Sequence, residues 1–348
     1  MKRRIYLKYG GRSLTKIKFK DRFLYDERWI GEHGIGRYAY EIQTRIKFNN
    51  TIKSKVKPTS PLDIFVTPWY LLFNSLIFIT PGFNAPWFFA KRTIITIHDL
   101  NHIDIKGNDS VLKSLYYNLI LKRACKKCIA IFTVSEFSKK RIVDWSGISP
   151  KKVVVAGNGV SKGFIPTGEK YLPGYKYFLC VSNRKEHKNE KRLIDAYCRL
   201  ENKHDVKLLF TGNPTDEMID YIKSNNAQEN IIFTGYIDEA DFPKYYRGSI
   251  ALLMPSLYEG FGLPVIEAMA CGVPVLASNT TALNELARGY AITVDPFSIG
   301  EITAGLNSLI TDDVLREELV IKGLQRAKEY SWDNTVEIII DEINKINY

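Results

Sequence analysis

Glu259 to Val275 reads EGFGLPVIEAMACGVPV, and this stretch decides how the rest of the chain is read. It sets two carboxylates, Glu259 and Glu267, eight residues apart, with a Gly-Phe-Gly turn and a proline between them. Gly260 and Gly262 let the backbone approach a ligand closely and adopt positive φ where the turn needs it. Pro264 suits the first turn of a helix, where its missing N–H would find no intrahelical partner anyway. A helix from about Val265 to Ala270 would aim its free N–H groups and positive dipole end at the glycine turn, which makes an anion site. One carboxylate before the turn and one inside the helix can both reach groups attached to a bound phosphate. The expected ligand is a sugar nucleotide.

Outward from this stretch, short apolar runs alternate with helical segments. In the first half they are Asp63–Thr67, Thr93–His98, Ile129–Val134 and Lys152–Ala156. In the second they are Tyr177–Val181, Val206–Thr211, Asn230–Thr234, Ser249–Met254 and Val273–Ala277. Continuous apolar strands of this kind predict parallel sheets covered on both faces. The 348 residues suffice for two such domains, and 45% hydrophobic with 25% charged residues excludes a disordered chain. Phe164–Lys176, with two prolines and two glycines and no period, is the expected linker. Five cysteines suit a reducing compartment, and Cys125 with Cys128 lacks the second pair that a zinc site needs, so buried thiols are expected.

The run from Glu259, framed by ALLMPSLY (Ala251–Tyr258) before it and PVLAS (Pro274–Ser278) within its end, resembles the E-x7-E motif of the retaining glycosyltransferases of family 4, of the type found in bacterial surface-polysaccharide assembly. The resemblance covers about Phe23 to the C-terminus. It implies the GT-B fold: α/β, with two doubly wound, Rossmann-like parallel-sheet domains facing an interdomain cleft. The domains would be 1–165 on the acceptor side, with 1–16 as a possible extension, and 166–330 for the sugar nucleotide. A C-terminal helix at 331–348 would cross back to the first. Its apolar residues Val336, Ile339, Ile340, Ile343 and Ile346 keep helical spacing.

Matching positions carry the family's roles by implication. Glu267 would bind the ribose, and Glu259 would touch hydroxyls of the transferred sugar. Phe261, Gly262 and Leu263 would lie at the donor. Gly34 and Gly36 of the Gly-Ile-Gly turn would face its phosphates. His98 would stand at the reaction centre, with Asp99 shaping the loop, and Ser135 would cap the following helix. Lys188 matches the family's phosphate-clamping lysine. Arg184 stands one place from the usual position of the clamping arginine, which Asn183 occupies, and is the candidate for that role. His98, Lys188 and Glu259 are thus the catalytic candidates. Tyr236 is either a base-stacking partner or a core aromatic.

The implied reaction is metal-independent transfer with retention, in which the leaving phosphate accepts the acceptor's proton. No Asp-x-Asp occurs in the chain, and no metal site is expected. No cofactor is expected beyond the donor itself, GDP-mannose as the first choice. Rhamnosyl, glucosyl or galactosyl transfer is the near alternative. A sugar-nucleotide epimerase or a non-catalytic partner subunit of the same fold is the alternative from another class.

Charge is uneven. Through residue 165 there are 30 Lys and Arg against 11 Asp and Glu, and beyond it 19 against 27. A basic first domain favours an anionic membrane surface and a lipid-linked or saccharide acceptor over nucleic acid. The Lys-Arg-Arg start lacks the apolar core of a secretion signal. Trp69–Ala90 is lipid-like but broken by Pro81, Gly82 and Pro86, so core, loop or acceptor-facing surface is expected there and not a span. The expected location is cytoplasmic, peripheral at the inner face of the cell membrane.

Overall fold

The structure, a computed structural model, describes residues 21–105, 111–201 and 206–346. The possible extension at 1–16 and the last two residues lie outside them. Two six-stranded parallel sheets organise the chain. The first contains β1 (Phe23–Tyr25), β2 (Asn50–Thr51), β3 (Ile77–Thr80), β4 (Thr93–Thr96), β5 (Ala130–Thr133) and β6 (Val153–Val155), in the order β2-β1-β3-β4-β5-β6. The second contains β7 (Lys176–Cys180), β8 (Val206–Phe210), β9 (Ile231–Phe233), β10 (Ala251–Met254), β11 (Val275–Ser278) and β12 (Ile292–Val294), in the order β12-β11-β10-β7-β8-β9.

Every residue of β3, β4, β5, β10 and β11 is buried, as a parallel strand covered on both faces requires. Around the second sheet, Phe178, Leu208, Phe210, Leu253 and Leu276 pack with Leu193, Ile194, Tyr197, Leu306 and Leu309 from the helices. The α/β class and the GT-B arrangement of two parallel sheets are those expected from the sequence. By its contacts the chain divides into two compact units. One holds the described residues up to Thr96 with Leu119–Ile131; the other holds the described parts of Ile97–Asn118 and of the chain from Phe132 on.

In the first unit, α1 (Gly34–Ile46) begins at the Gly-Ile-Gly turn, as its sequence predicts. The run at 63–67 is not a strand. It opens α2 (Asp63–Leu72), whose buried residues Asp63, Thr67 and Leu71 recur every four residues. Leu71 packs with Leu24, Ile52 and Phe78, so the helical face that meets the sheet decides a run too short to reveal its own period. The strand of this region is β3 instead, inside the aromatic-rich stretch. Cys125 and Cys128 are buried thiols.

In the second unit, α3 (Glu136–Ser146) follows β5, α4 (Glu190–Cys198) follows β7 and α5 (Leu263–Ala270) follows β10. Residues 164–175, between β6 and β7, carry no helix or strand. The chain ends on α6 (Trp332–Asn344), which buries Val336, Ile339 and Ile343. Gly159 packs so closely on the start of α6 that a Cβ there would meet the Trp332 nitrogen at 2.0 Å. Among the described residues no helix is long and apolar enough to cross a membrane.

Candidate active site

The glycine turn sits at the carboxyl end of β10, the edge at which open parallel sheets place ligands. Its two glycines are needed for different reasons. Gly262 has φ +106°, which a side chain rarely tolerates, and it caps α5, with Pro264 in the first turn. Gly260 has no such φ. A Cβ there would stand 2.7 Å from the His98 carbonyl oxygen, 2.7 Å from Asp99 Cβ and 3.1 Å from Asp99 Oδ2. The turn therefore rests directly on the His98-Asp99 loop.

Hydroxyls from the next segment lock that contact. Ser135 Oγ donates to the Gly260 carbonyl at 2.7 Å, and Ser138 Oγ lies 3.1 Å from the same oxygen and 2.8 Å from the His98 carbonyl. Ser135 also caps α3, accepting from the Ser138 N–H at 3.0 Å, so the expected capping role is met and a second contact is added. Glu285 completes the cap by accepting the N–H groups of Glu136 and Phe137, each at 3.1 Å.

Lys188 and Glu259, 71 residues apart in sequence, meet here. Lys188 Nζ lies 2.7 Å from Glu259 Oε1, and each side chain is only about one-seventh exposed. Lys188 ends a 3-10 turn, Glu186–Lys188, that His187 anchors: the His187 carbonyl accepts from the Leu257 N–H at 2.7 Å. Burial pulls the His187 imidazole down to about 4, so it stays neutral near pH 7. Asn189 adopts φ +61° and ties this turn to the Pro255 and Pro296 carbonyls. The Glu259 N–H points at Thr281 Oγ1, 3.3 Å away, and Thr281 itself has φ +56°. Left-handed backbone at a β-branched residue is strained, and such strain persists where surrounding structure over-determines the chain.

Glu267 is buried on α5 and accepts the Tyr246 hydroxyl at Oε2, 2.9 Å away. Phe261 is buried edge-on to Tyr330, with ring centroids 5.6 Å apart. Arg184 is turned to other partners. Its guanidinium donates to the Thr211 carbonyl at 2.5 Å and to the Ser182 carbonyl at 3.2 Å. It lies 3.1 Å from Glu190 Oε1 as an ion pair too bent for a hydrogen bond, and it stacks over Phe210 and Phe233. Tyr236 is 69% exposed, which removes the core-aromatic reading.

Gly34 and Gly36 belong to the other compact unit. What demands glycine at 36 there is the chain itself, since a Cβ would meet the Gly31 carbonyl oxygen at 2.2 Å. His33, not singled out from the sequence, caps α1 by accepting the Gly36 N–H at Nδ1, 2.9 Å away. Sequence reasoning also missed Tyr246, Ser138 and Thr281. None lies in a local pattern with the group it holds; Tyr246 precedes Glu267 by 21 residues.

Asp99 shapes its loop, as expected, by accepting the Asn101 N–H at 3.1 Å. Burial pushes its carboxyl up to about 6; the Asn101 contact opposes this, the Glu259 charge adds to it, and Lys185 and Lys188 oppose it. The folded chain thus holds a proton that the unfolded chain releases from about pH 3.9. Asp99 therefore favours the folded state most at low pH, and that contribution is lost as pH rises through about 4 to 6. His187 acts oppositely, so the check is a difference. Urea midpoints of Asp99→Asn minus those of the unaltered protein should rise between pH 4 and 6; a flat difference would show that Asp99 titrates normally.

Residues 168–326 match the family model for glycosyl transferases group 1, and residues 73–163 match that for Glycosyltransferase Family 4. O-antigen chain mannosyltransferase B of Escherichia coli is 29% identical over 276 residues, covering 75% of this chain and 72% of that protein. The serotype-specific mannosyltransferase WbdA of Escherichia coli is 25% identical over 76% of this chain, which spans about a third of it (34%). Among solved structures, WaaG, a glycosyltransferase involved in lipopolysaccharide biosynthesis, superposes with a TM-score of 0.72. It is 14% identical, over 93% of this chain and 99% of that one, so that likeness concerns the fold.

Proposed function

We propose that the chain is a GT-B glycosyltransferase that transfers a hexose, mannose first, from a nucleotide-diphosphate sugar to a growing, lipid-linked surface glycan with retention at the anomeric carbon. The observation that carries this reading is the Lys188–Glu259 pair at the mouth of α5. It combines a cation for a departing diphosphate, a carboxylate for sugar hydroxyls and a helix start for anionic oxygens. The relatives' names favour mannose and hence GDP-mannose as donor.

In this proposal Glu267 receives the ribose hydroxyls while Tyr246 holds its other edge. His98 stands beside the reacting carbon. Lys188 stabilises the diphosphate, whose own oxygen accepts the acceptor's proton, and no metal takes part. Arg184 joins the clamp by exchanging Glu190 for phosphate. Gly34, Gly36, Phe261, Gly262 and Leu263 complete the donor site. The acceptor reaches the enzyme at the inner face of the cell membrane, where anionic lipid meets the basic part of the chain.

Calorimetric titration with GDP, UDP, dTDP and ADP tests the donor assignment. GDP should bind selectively, and Glu267→Ala should weaken it by about tenfold or more, the loss of a hydrogen bond to a charged group. Unchanged affinity would remove Glu267 from the ribose. Selective UDP binding would redirect the sugar to glucose or galactose.

A further inference from the structure

From Ile64 to Ala90 the chain contains no Asp, Glu, Lys or Arg. In α2 the inward face, Asp63, Thr67 and Leu71, is already buried against the sheet. Yet the outward face is apolar too. Leu62, Phe65, Trp69, Leu72 and Phe73 recur at helical spacing and are 55–78% exposed. Trp69 packs edge-on to Phe73, with centroids 5.7 Å apart. A surface helix of a globular protein puts polar residues on that side. An uninterrupted apolar stripe there marks a surface that something covers.

The surroundings are cationic. The Tyr70 hydroxyl donates to the Lys53 carbonyl at 2.8 Å, which places the exposed Lys53, Lys55 and Lys57 segment beside the helix. At the other end Arg92 donates to the Leu71 and Asn74 carbonyls at 2.7 and 2.6 Å, and it lies over the Phe89 ring. Its charge thereby sits at the negative end of the helix dipole. The described part of this unit holds 14 Lys and Arg against 6 Asp and Glu. A charge-free aromatic stripe rimmed by cations is complementary to an anionic bilayer, whose interface takes Trp and Phe at the headgroup level and whose phosphates attract Lys and Arg.

We propose that the outward stripe of α2 lies in the headgroup–acyl boundary of an anionic membrane, with Lys53, Lys55, Lys57 and Arg92 meeting lipid phosphates. This rests on the proposed lipid-linked acceptor and deepens it, because it assigns binding to one helix and makes it partly apolar. Attachment by charge alone would be reversed by salt; attachment through this stripe outlasts it.

The test is flotation of the full chain with phosphatidylcholine vesicles, with and without phosphatidylglycerol, at low and high salt. Binding should require the anionic lipid and persist in part at high salt. Tryptophan emission should shift to the blue and be quenched by acyl-brominated lipid, and Trp69→Phe should abolish most of both changes. The combined Phe65→Ser, Trp69→Ser, Phe73→Ser variant should lose about a hundredfold in partitioning, and Lys53→Gln, Lys55→Gln, Lys57→Gln should lose affinity at low salt only. No binding, or complete release by salt without a spectral change, would overturn the proposal. So would a dimer that forms without lipid and is abolished by Trp69→Ser, which would make a second copy the occupant. Nucleotide titration of the serine variant shows that it is folded. Transfer to a water-soluble acceptor analogue should survive these changes, which separates failure here from failure of the donor-site reading.

Discussion

Lys188→Ala is expected to lower kcat/KM by about a hundred- to a thousandfold, the usual cost of removing one group that stabilises developing charge. The ammonium stands 2.7 Å from Glu259 Oε1 in a site where both side chains are largely covered. In the proposed donor complex its removal takes the cation from the departing diphosphate, and in the free protein it leaves Glu259 facing Asp99 with less to offset it. Asp99, already pushed up to about 6 and held from rising further partly by Lys188, should then titrate higher still. A rise in that titration reports the lost charge independently of turnover. Loss of one partner from a covered pair should also cost about 3 kcal/mol of stability. Lys188→Arg keeps the charge but brings a larger, planar fork, so it should restore stability more fully than rate. Steady-state kinetics with urea unfolding of the three proteins decides the matter, and normal turnover in Lys188→Ala would remove Lys188 from the phosphate.

Gly260→Ala should be nearly as damaging to activity through packing alone. Two neighbours of the new methyl belong to the chain's own framework, the His98 carbonyl oxygen and Asp99 Cβ, each at 2.7 Å. The turn cannot retreat easily, because the Gly260 carbonyl is held by Ser135 and Ser138. Overpacking of this kind costs about 1–3 kcal/mol. The catalytic cost should be greater, because the displacement separates Glu259 from His98, and a shift near 1 Å in a positioned site can cost about a hundredfold. The expected result is a lowered urea midpoint with a larger fall in kcat than in donor affinity. Wild-type stability and rate would show that the His98-Asp99 loop yields freely.

The strands that were legible are those buried on both faces, since a run such as Ala251–Met254 is apolar at every position and bounded by turn residues. Asp63–Thr67 and Ile77–Thr80 were not separable by that signal. Both are short and apolar, and helix or strand was settled by what each packs against. At the site, the eight-residue spacing of Glu259 and Glu267, the helix start at the glycine turn and the Ser135 cap were legible because each is local. The pairing of Lys188 with Glu259 was not, and neither were the Tyr246 contact to Glu267 or the turn of Arg184 toward Glu190 and Thr211.

Local chemistry alone thus carries two parallel sheets, a left-handed glycine at 262, a capped helix and two carboxylates at a defined separation. The sheets show through strands that are apolar at every position, and the other features depend on backbone sterics and on hydrogen bonds within a few residues. Which charges neutralise each other, why Gly260 must lack a side chain and which face of α2 remains uncovered depend on contacts between segments tens of residues apart. Electrostatics and close packing act through space, so these were settled only when the folded chain brought the segments together.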